Sequence, residues 1–404
     1  MAFTALLILT FALIGRPQDA FPELQAIRPA VLLTAIAVMF SFFRLNGERL
    51  CSLFTTAETK KYLLFYFLMA AGIPFAYYRL EALDFVFRYY SSCLLFYCVL
   101  FINIDSLKKL KTALFAICVS TLFYSLFSLA KGSFAQERFS FGTMYDPNDL
   151  AYFLISLFPL SLFYLIHNGG RFRKITAVAA IGCSLTAAFM TGSRGGLIGL
   201  LVVIVVLLYS RAGRIRWTHA VFIAMVISAF LLLNRESLNM DRYRSFGRIS
   251  ADYNITDEFG RLQIWKKGLQ LTLSNPITGV GVNCFSMAVG YLREAEETPP
   301  AWQVSHNSYI QVAAEVGLIG FIVFLSIIWG CFKNFSHCRK GGTASAEANE
   351  VKTIAGLLQA GFAGNLAAAF FLSQSYSVLF PLFFAFSALL RKFRDRLQAG
   401  ATPD

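Results

Sequence analysis

The chain has 404 residues, 57% of them hydrophobic and 15% charged, with a mean hydropathy of +0.59 and a formal net charge of +13. Soluble domains carry about a quarter charged residues, so this chain cannot cover a water-facing surface and belongs in lipid. Its basic residues form short clusters between apolar runs instead of one face, which excludes nucleic acid as a partner and reads as membrane topology.

Twelve apolar segments follow in order, at 2–15, 29–43, 61–76, 85–103, 112–130, 149–166, 174–191, 195–210, 217–233, 308–332, 352–372 and 376–390. Each approaches the ~20 residues that a helix needs to cross a bilayer. The first lacks a basic n-region and an A-x-A site, so it reads as a retained span. The expected fold is an all-α polytopic membrane protein of about twelve transmembrane helices with one long polar loop.

Basic clusters recur on alternate loops, as in Arg44 and Arg49, Lys108 and Lys109, Arg171 and Arg173, Arg339 and Lys340, and Arg391 and Lys392. The intervening loops carry only isolated cations such as Arg16, Arg28, Arg88 and Arg138. The positive-inside rule then places both termini in the cytoplasm and the long loop on the outer face. The expected division is 1–233 with nine helices, 234–307 as the outer loop carrying functional residues, and 308–404 with the last three helices and a cytoplasmic tail. The span interiors hold almost no charge, unlike an ion-coupled transporter, so the chemistry is expected at the outer membrane face.

The eight cysteines form no CxxC, and no Cys/His spacing suits zinc, so neither metal nor cofactor is expected. Asp146-Pro147 opens a span as an N-cap with proline in the first turn. Arg194 begins an apolar helix, where the dipole disfavours a cation; position alone fits either a snorkelling anchor or an anion ligand. In the long loop, basic and acidic residues balance. Arg242, Arg244 and Arg248 can bind phosphate or sugar, or pair with Asp241 and Asp252.

Thr256 or Asp257 can cap a helix on which Phe259, Leu262, Trp265, Leu269 and Leu273 recur at helical spacing. It reads as an amphipathic helix at the membrane mouth with Arg261 in its first turns; alone, Arg261 is one more surface cation. Gly279 and Gly281 make a turn after Pro276. His306 precedes a span in which Ser308 and Gln311 have the form of a capping box. A helix N-terminus keeps imidazole neutral, as a general base requires, although taken alone His306 reads first as a polar residue at the start of a helix. Two arginines and one neutral histidine suit metal-free transfer from a diphosphate leaving group.

These residues carry a resemblance. His306-Asn307, nine residues, Gly317, two residues and Gly320, together with Gly192-Ser193-Arg194-Gly195-Gly196 and with Arg261, Trp265, Pro276, Gly279 and Gly281, resemble the O-antigen ligase and polymerase superfamily of GT-C-type membrane glycosyltransferases. The resemblance implies a glycosyltransferase of the bacterial inner membrane. Its donor would be a glycan on undecaprenyl diphosphate and its acceptor a hydroxyl of lipid A–core, of a protein or of a growing glycan, lipid A–core being the first reading. His306 would be the base and Arg194 and Arg261 would hold the diphosphate, with Arg242, Arg244 and Asn307 as further substrate contacts. Gly15-Arg16-Pro17-Gln18-Asp19 with Arg28-Pro29 resembles an exosortase-associated branch that glycosylates protein or handles exopolysaccharide. A lipid-linked glycan flippase is the rival class; it needs a polar path that these spans lack.

Overall fold

The computed structural model describes residues 1–135, 138–142, 146–167, 170–210, 259–299, 301–340 and 345–399. Thirteen main helices order these residues: α1 (Ala2–Ile14), α2 (Pro29–Phe42), α3 (Ala57–Gly72), α4 (Arg79–Asn103), α5 (Leu107–Lys131), α6 (Pro147–Ile166), α7 (Gly170–Met190), α8 (Arg194–Ser210), α9 (Arg261–Ser274), α10 (Phe285–Ala295), α11 (Ser308–Arg339), α12 (Ala346–Ala369) and α13 (Leu379–Gln398). A two-stranded hairpin, Ser133–Ala135 against Arg138–Ser140, joins α5 towards α6.

Five of the described helices, α4, α5, α6, α7 and α11, are long and apolar enough to cross a membrane. Helices α1, α2 and α8 are apolar but shorter. At 1.5 Å per residue, the 13 residues of α1 rise about 20 Å, less than a hydrocarbon core of roughly 30 Å. The chain is an all-α, multi-pass membrane protein. The expected span at 217–233, and with it the start of the long loop, lies outside the described residues.

The polar contacts at the helix ends fall into two groups that differ in chemistry. One end gathers the basic loops. Asp105 binds Arg44 at 2.8 Å, Arg49 at 3.1 Å and Lys109 at 2.6 Å, and its carbonyl accepts from Arg396. Burial raises the Asp105 pKa, but the Lys109 and Arg44 charges outweigh it and hold the carboxyl below its ordinary range. Lys111 pairs with Glu350 at the same end. The other end holds Arg194, Arg261 and His306.

Two backbone approaches fix that second end. In the first, α8 crosses α12 where each helix offers a glycine. A Cβ on Gly199 would lie 3.0 Å from the Gly364 carbonyl oxygen, and one on Gly196 would lie 2.7 Å from the Ala151 Cβ of α6. Small residues let helix backbones pack this closely in lipid, where no hydrophobic effect drives them together.

The second approach breaks α11. Gly317 has φ 77° and ψ 175°, a conformation open essentially to glycine alone. The break leaves the carbonyls of Ala314 and Glu315 free to accept from Val280 and Gly281, at 2.8 and 3.1 Å, while Leu318 N–H donates to Pro276 at 2.8 Å. The turn after Pro276, expected from its glycines, is thus bonded along its length to the broken helix. Glu315, a buried acidic residue within an apolar run, lies before the break; its Oε1 accepts from the first N–H of α10 at 3.2 Å.

Gly317→Ala should therefore destabilise the protein. Its methyl would meet the Ile277 carbonyl oxygen at 2.5 Å in a backbone conformation that costs an alanine about 1–3 kcal/mol. A clear fall in the thermal midpoint of the purified protein in detergent is expected; an unchanged midpoint would contradict this account of the break.

Candidate functional site

The site assembles around Phe370–Val378, the connection between α12 and α13. His306 stands just before α11 with φ 47°, a left-handed conformation that a non-glycine residue adopts only when its surroundings impose it. Those surroundings are serines. The His306 N–H donates to Ser373 Oγ at 2.9 Å, and Ser373 Oγ lies 3.0 Å from Ser305 Oγ. Ser308 Oγ donates to the Leu372 carbonyl at 2.7 Å and accepts from Gln374 N–H at 2.9 Å, while Ser375 Oγ donates back to the Ser308 carbonyl at 2.7 Å.

The helix behind His306 starts one residue earlier than the capping-box pattern suggests. Asn307 has an extended backbone, is buried, and accepts from Tyr309 and Ile310 N–H at 2.9 and 3.1 Å, so it is the N-cap. Ser308 cannot cap because its hydroxyl is engaged with the α12–α13 connection. The side-chain oxygen of Asn307, a residue expected to contact substrate, is occupied in holding α11.

Helix α9 brings Arg261. Its N-cap is Gly260, without a side-chain cap; Thr256 and Asp257 lie outside the described residues. Ile264, Gly268 and Leu271 face the protein, whereas Leu262, Leu269 and Leu273 of the expected apolar stripe are exposed. The helix therefore has apolar residues on both its packed and its outward side. Trp265, one turn from Arg261 and so on the same face, donates Nε1–H to the Ser305 carbonyl at 3.1 Å and packs edge-on against Phe370 at 5.5 Å. Arg261 is thereby held beside His306, and its charge acts on the imidazole.

Arg194 reaches the same connection from α8. Thr191-Gly192-Ser193 forms the turn between α7 and α8, with Gly192 at φ 62°. Ser193 Oγ accepts from Gly196 N–H at 3.1 Å and caps α8, leaving Arg194 in its first turn. A Cβ on the adjacent Gly195 would lie 3.2 Å from Phe371 Cβ, two residues from Ser373. Arg138 braces the turn, its Nη2 donating to Asn148 at 2.7 Å and its Nε to the Thr191 carbonyl at 3.3 Å. Asp146 caps α6 as expected, accepting from Asn148 and Asp149 N–H at 2.7 and 2.8 Å.

The structure thus brings Arg194, Arg261 and His306 to one segment. Arg242 and Arg244 lie outside the described residues. Ser373, Gln374, Phe370 and Arg138 complete the arrangement and were not singled out by the sequence. The only signal for the first two was a short polar run, Ser373-Gln374-Ser375, between two apolar segments.

Burial, then the Arg261 charge, lowers the His306 pKa below its ordinary value near 6.5, while Asp146 opposes them more weakly. The imidazole is neutral at pH 7 and can take a proton. The O-antigen ligase family model matches residues 178–325, a range that includes Arg194, Arg261 and His306. No curated protein matches the chain.

Arg261→Gln should raise the His306 pKa towards its ordinary value, because a nearby cation disfavours imidazolium. Carbethoxylation of His306, followed by peptide mass mapping across pH 5 to 8, should show its midpoint move to higher pH in the variant. A midpoint that stays or falls would contradict the coupling.

Proposed function

The chain belongs to the O-antigen ligase superfamily, and from that premise we propose that it transfers a glycan from undecaprenyl diphosphate to an acceptor hydroxyl. The observation that carries this reading is the convergence of two arginines and one neutral histidine on the α12–α13 connection. His306 takes the proton of the acceptor hydroxyl as its oxygen attacks the anomeric carbon. The bond between that carbon and the diphosphate oxygen breaks, and undecaprenyl diphosphate leaves with the bonding electrons. Arg194 and Arg261 bind the charge that develops on it. Neither step calls on a metal or a nucleotide. Arg242 and Arg244 belong to the substrate-binding loop in this reading.

The gathering of the basic loops at the far end supports a membrane orientation with that end and both termini in the cytoplasm and His306 facing the periplasm. The membrane is then the bacterial inner membrane. Lipid A–core is the proposed acceptor. A protein or the growing glycan is the alternative, since the same proton transfer and leaving group serve all three. The flippase reading lacks support from the site, which is a set of groups fixed at one end of the bundle and not a polar path through it.

His306→Ala should lower transfer by about 10²–10⁴-fold, the usual contribution of a positioned general base. Arg194→Ala and Arg261→Ala should each lower it with the protein still inserted and folded. The assay is glycan transfer by purified protein in detergent, with undecaprenyl diphosphate-linked glycan and separate acceptors. Full activity in His306→Ala removes the base; loss of activity with EDTA, restored by a divalent cation, removes the metal-free mechanism.

A further inference from the structure

A cavity of about 690 Å³ opens on the other side of the same connection, with Gln374, Ser377 and Val378 in its wall. Its remaining walls come from the end of α1, the α1–α2 connector, the start of α2 and residues 84–93 of α4. We propose that this cavity is the acceptor subsite and that it takes the phosphate-bearing headgroup of a membrane-anchored acceptor. The proposal rests on the transferase reading above and adds to it where, and by what chemistry, the acceptor is held.

Three observations carry it. The first is charge. Arg16 is bound side-on by Asp19, with Nε–Oδ2 at 2.7 Å and Nη2–Oδ1 at 3.1 Å, and Arg88 is paired with Asp84 at 2.9 Å. Arg28, an exposed residue at the rim, lines the cavity too, and its guanidinium forms no hydrogen bond or ion pair among the described residues, so it is open to a ligand. A planar donor of this kind matches a phosphate oxygen pair.

The second is an unsatisfied acceptor. Gln18 Oε1 is buried at the cavity wall without a hydrogen-bond partner. Leaving such an oxygen unpaired costs about 1–3 kcal/mol, and a turn of the Gln18 side chain towards the cavity would let a ligand hydroxyl satisfy it. A phosphate and a hydroxyl together describe the headgroup of a phosphorylated lipid or glycolipid. The mouth suits its anchor: Val31 lines the cavity, and Ile27 and Leu32 beside it are exposed apolar side chains.

The third is backbone geometry. Arg16 and Arg28 both have φ 45°, each directly before a proline, and the α4 wall contains a π-helical turn at Phe85–Tyr90. Left-handed non-glycine residues and π turns are sparsely used and concentrate at functional sites. Here three of them surround one cavity.

The test compares wild type with Arg28→Asn, which removes the charge yet tolerates a left-handed backbone, and with Arg28→Lys. Delipidated full-length protein is titrated with phosphatidic acid, with diacylglycerol and with inorganic phosphate, and retention is read by native mass spectrometry. Wild type should retain phosphatidic acid over diacylglycerol, Arg28→Asn should lose that retention at least tenfold, and Arg28→Lys should recover most of it. The difference between variants separates this cavity from the basic cluster at the far end. Equal retention by wild type and Arg28→Asn overturns the proposal. Inorganic phosphate held as tightly as phosphatidic acid overturns its lipid-borne part.

In the transfer assay, Arg28→Asn should raise the KM for acceptor at least tenfold and leave that for donor unchanged. An unchanged acceptor KM, as a phosphate-free protein acceptor would give, or an equal rise in both, overturns the acceptor assignment. Wild-type protein that transfers no glycan at all would refute the transferase reading, while the lipid-retention arm would still judge the cavity.

Discussion

The contact on which the site depends is the one between Ser373 and the backbone of His306. A histidine at φ 47° is strained, and only bonding from outside the residue holds it there. Ser373 supplies that bond, Ser305 supports Ser373, and Ser308 and Ser375 tie the start of α11 to the α12–α13 connection on its far side. In a medium without water to satisfy the backbone, each of these hydroxyls also pairs a group that would otherwise be costly to bury. The imidazole is therefore positioned by helix α12 and its following connection as much as by its own segment. The same connection carries Phe370 against Trp265 and Phe371 against the start of α8, so one short segment sets three candidate residues at once.

The glycines translate this local contact into a bundle. Where α8 and α12 meet, the absence of side chains at Gly199 and Gly364 lets the backbones approach, and Arg194 is carried to the connection by that approach. The break at Gly317 does the complementary work for α11. It redirects the helix after its first turns and exposes two carbonyls, which the turn after Pro276 satisfies. Helix α9 ends where that turn begins, so Arg261 and His306, distant in sequence, share one rigid frame.

Much of this was legible in the sequence, for identifiable reasons. Apolar runs gave the helices because length and hydropathy are local properties. Arg194, Arg261 and His306 stood out because each is a polar residue at a position where a span begins or a polar loop meets one. Gly317 was visible as part of a spacing, but its reason was not, since it depends on backbone atoms of Pro276 and Ile277 from another part of the chain. The capping-box pattern points to Ser308, and serine and asparagine cap equally well in sequence; only the tertiary engagement of the Ser308 hydroxyl hands the role to Asn307. Ser373 gave no signal, because a serine in a short gap between apolar segments has no pattern around it. Glu315 carries no signal in the sequence, because a single acidic residue in an apolar run reads as part of the span until the break separates it.

The central claim is that the diphosphate of the donor lies between Arg194 and Arg261 next to His306. A cryo-electron microscopy structure of the full chain with undecaprenyl diphosphate bound tests it most directly. The account predicts diphosphate density within hydrogen-bonding distance of both guanidinium groups, with the imidazole of His306 facing the space where an acceptor oxygen would stand. Diphosphate density at the far end of the bundle, among Arg49, Lys109 and Lys392, with Arg194 and Arg261 uncontacted, would contradict it.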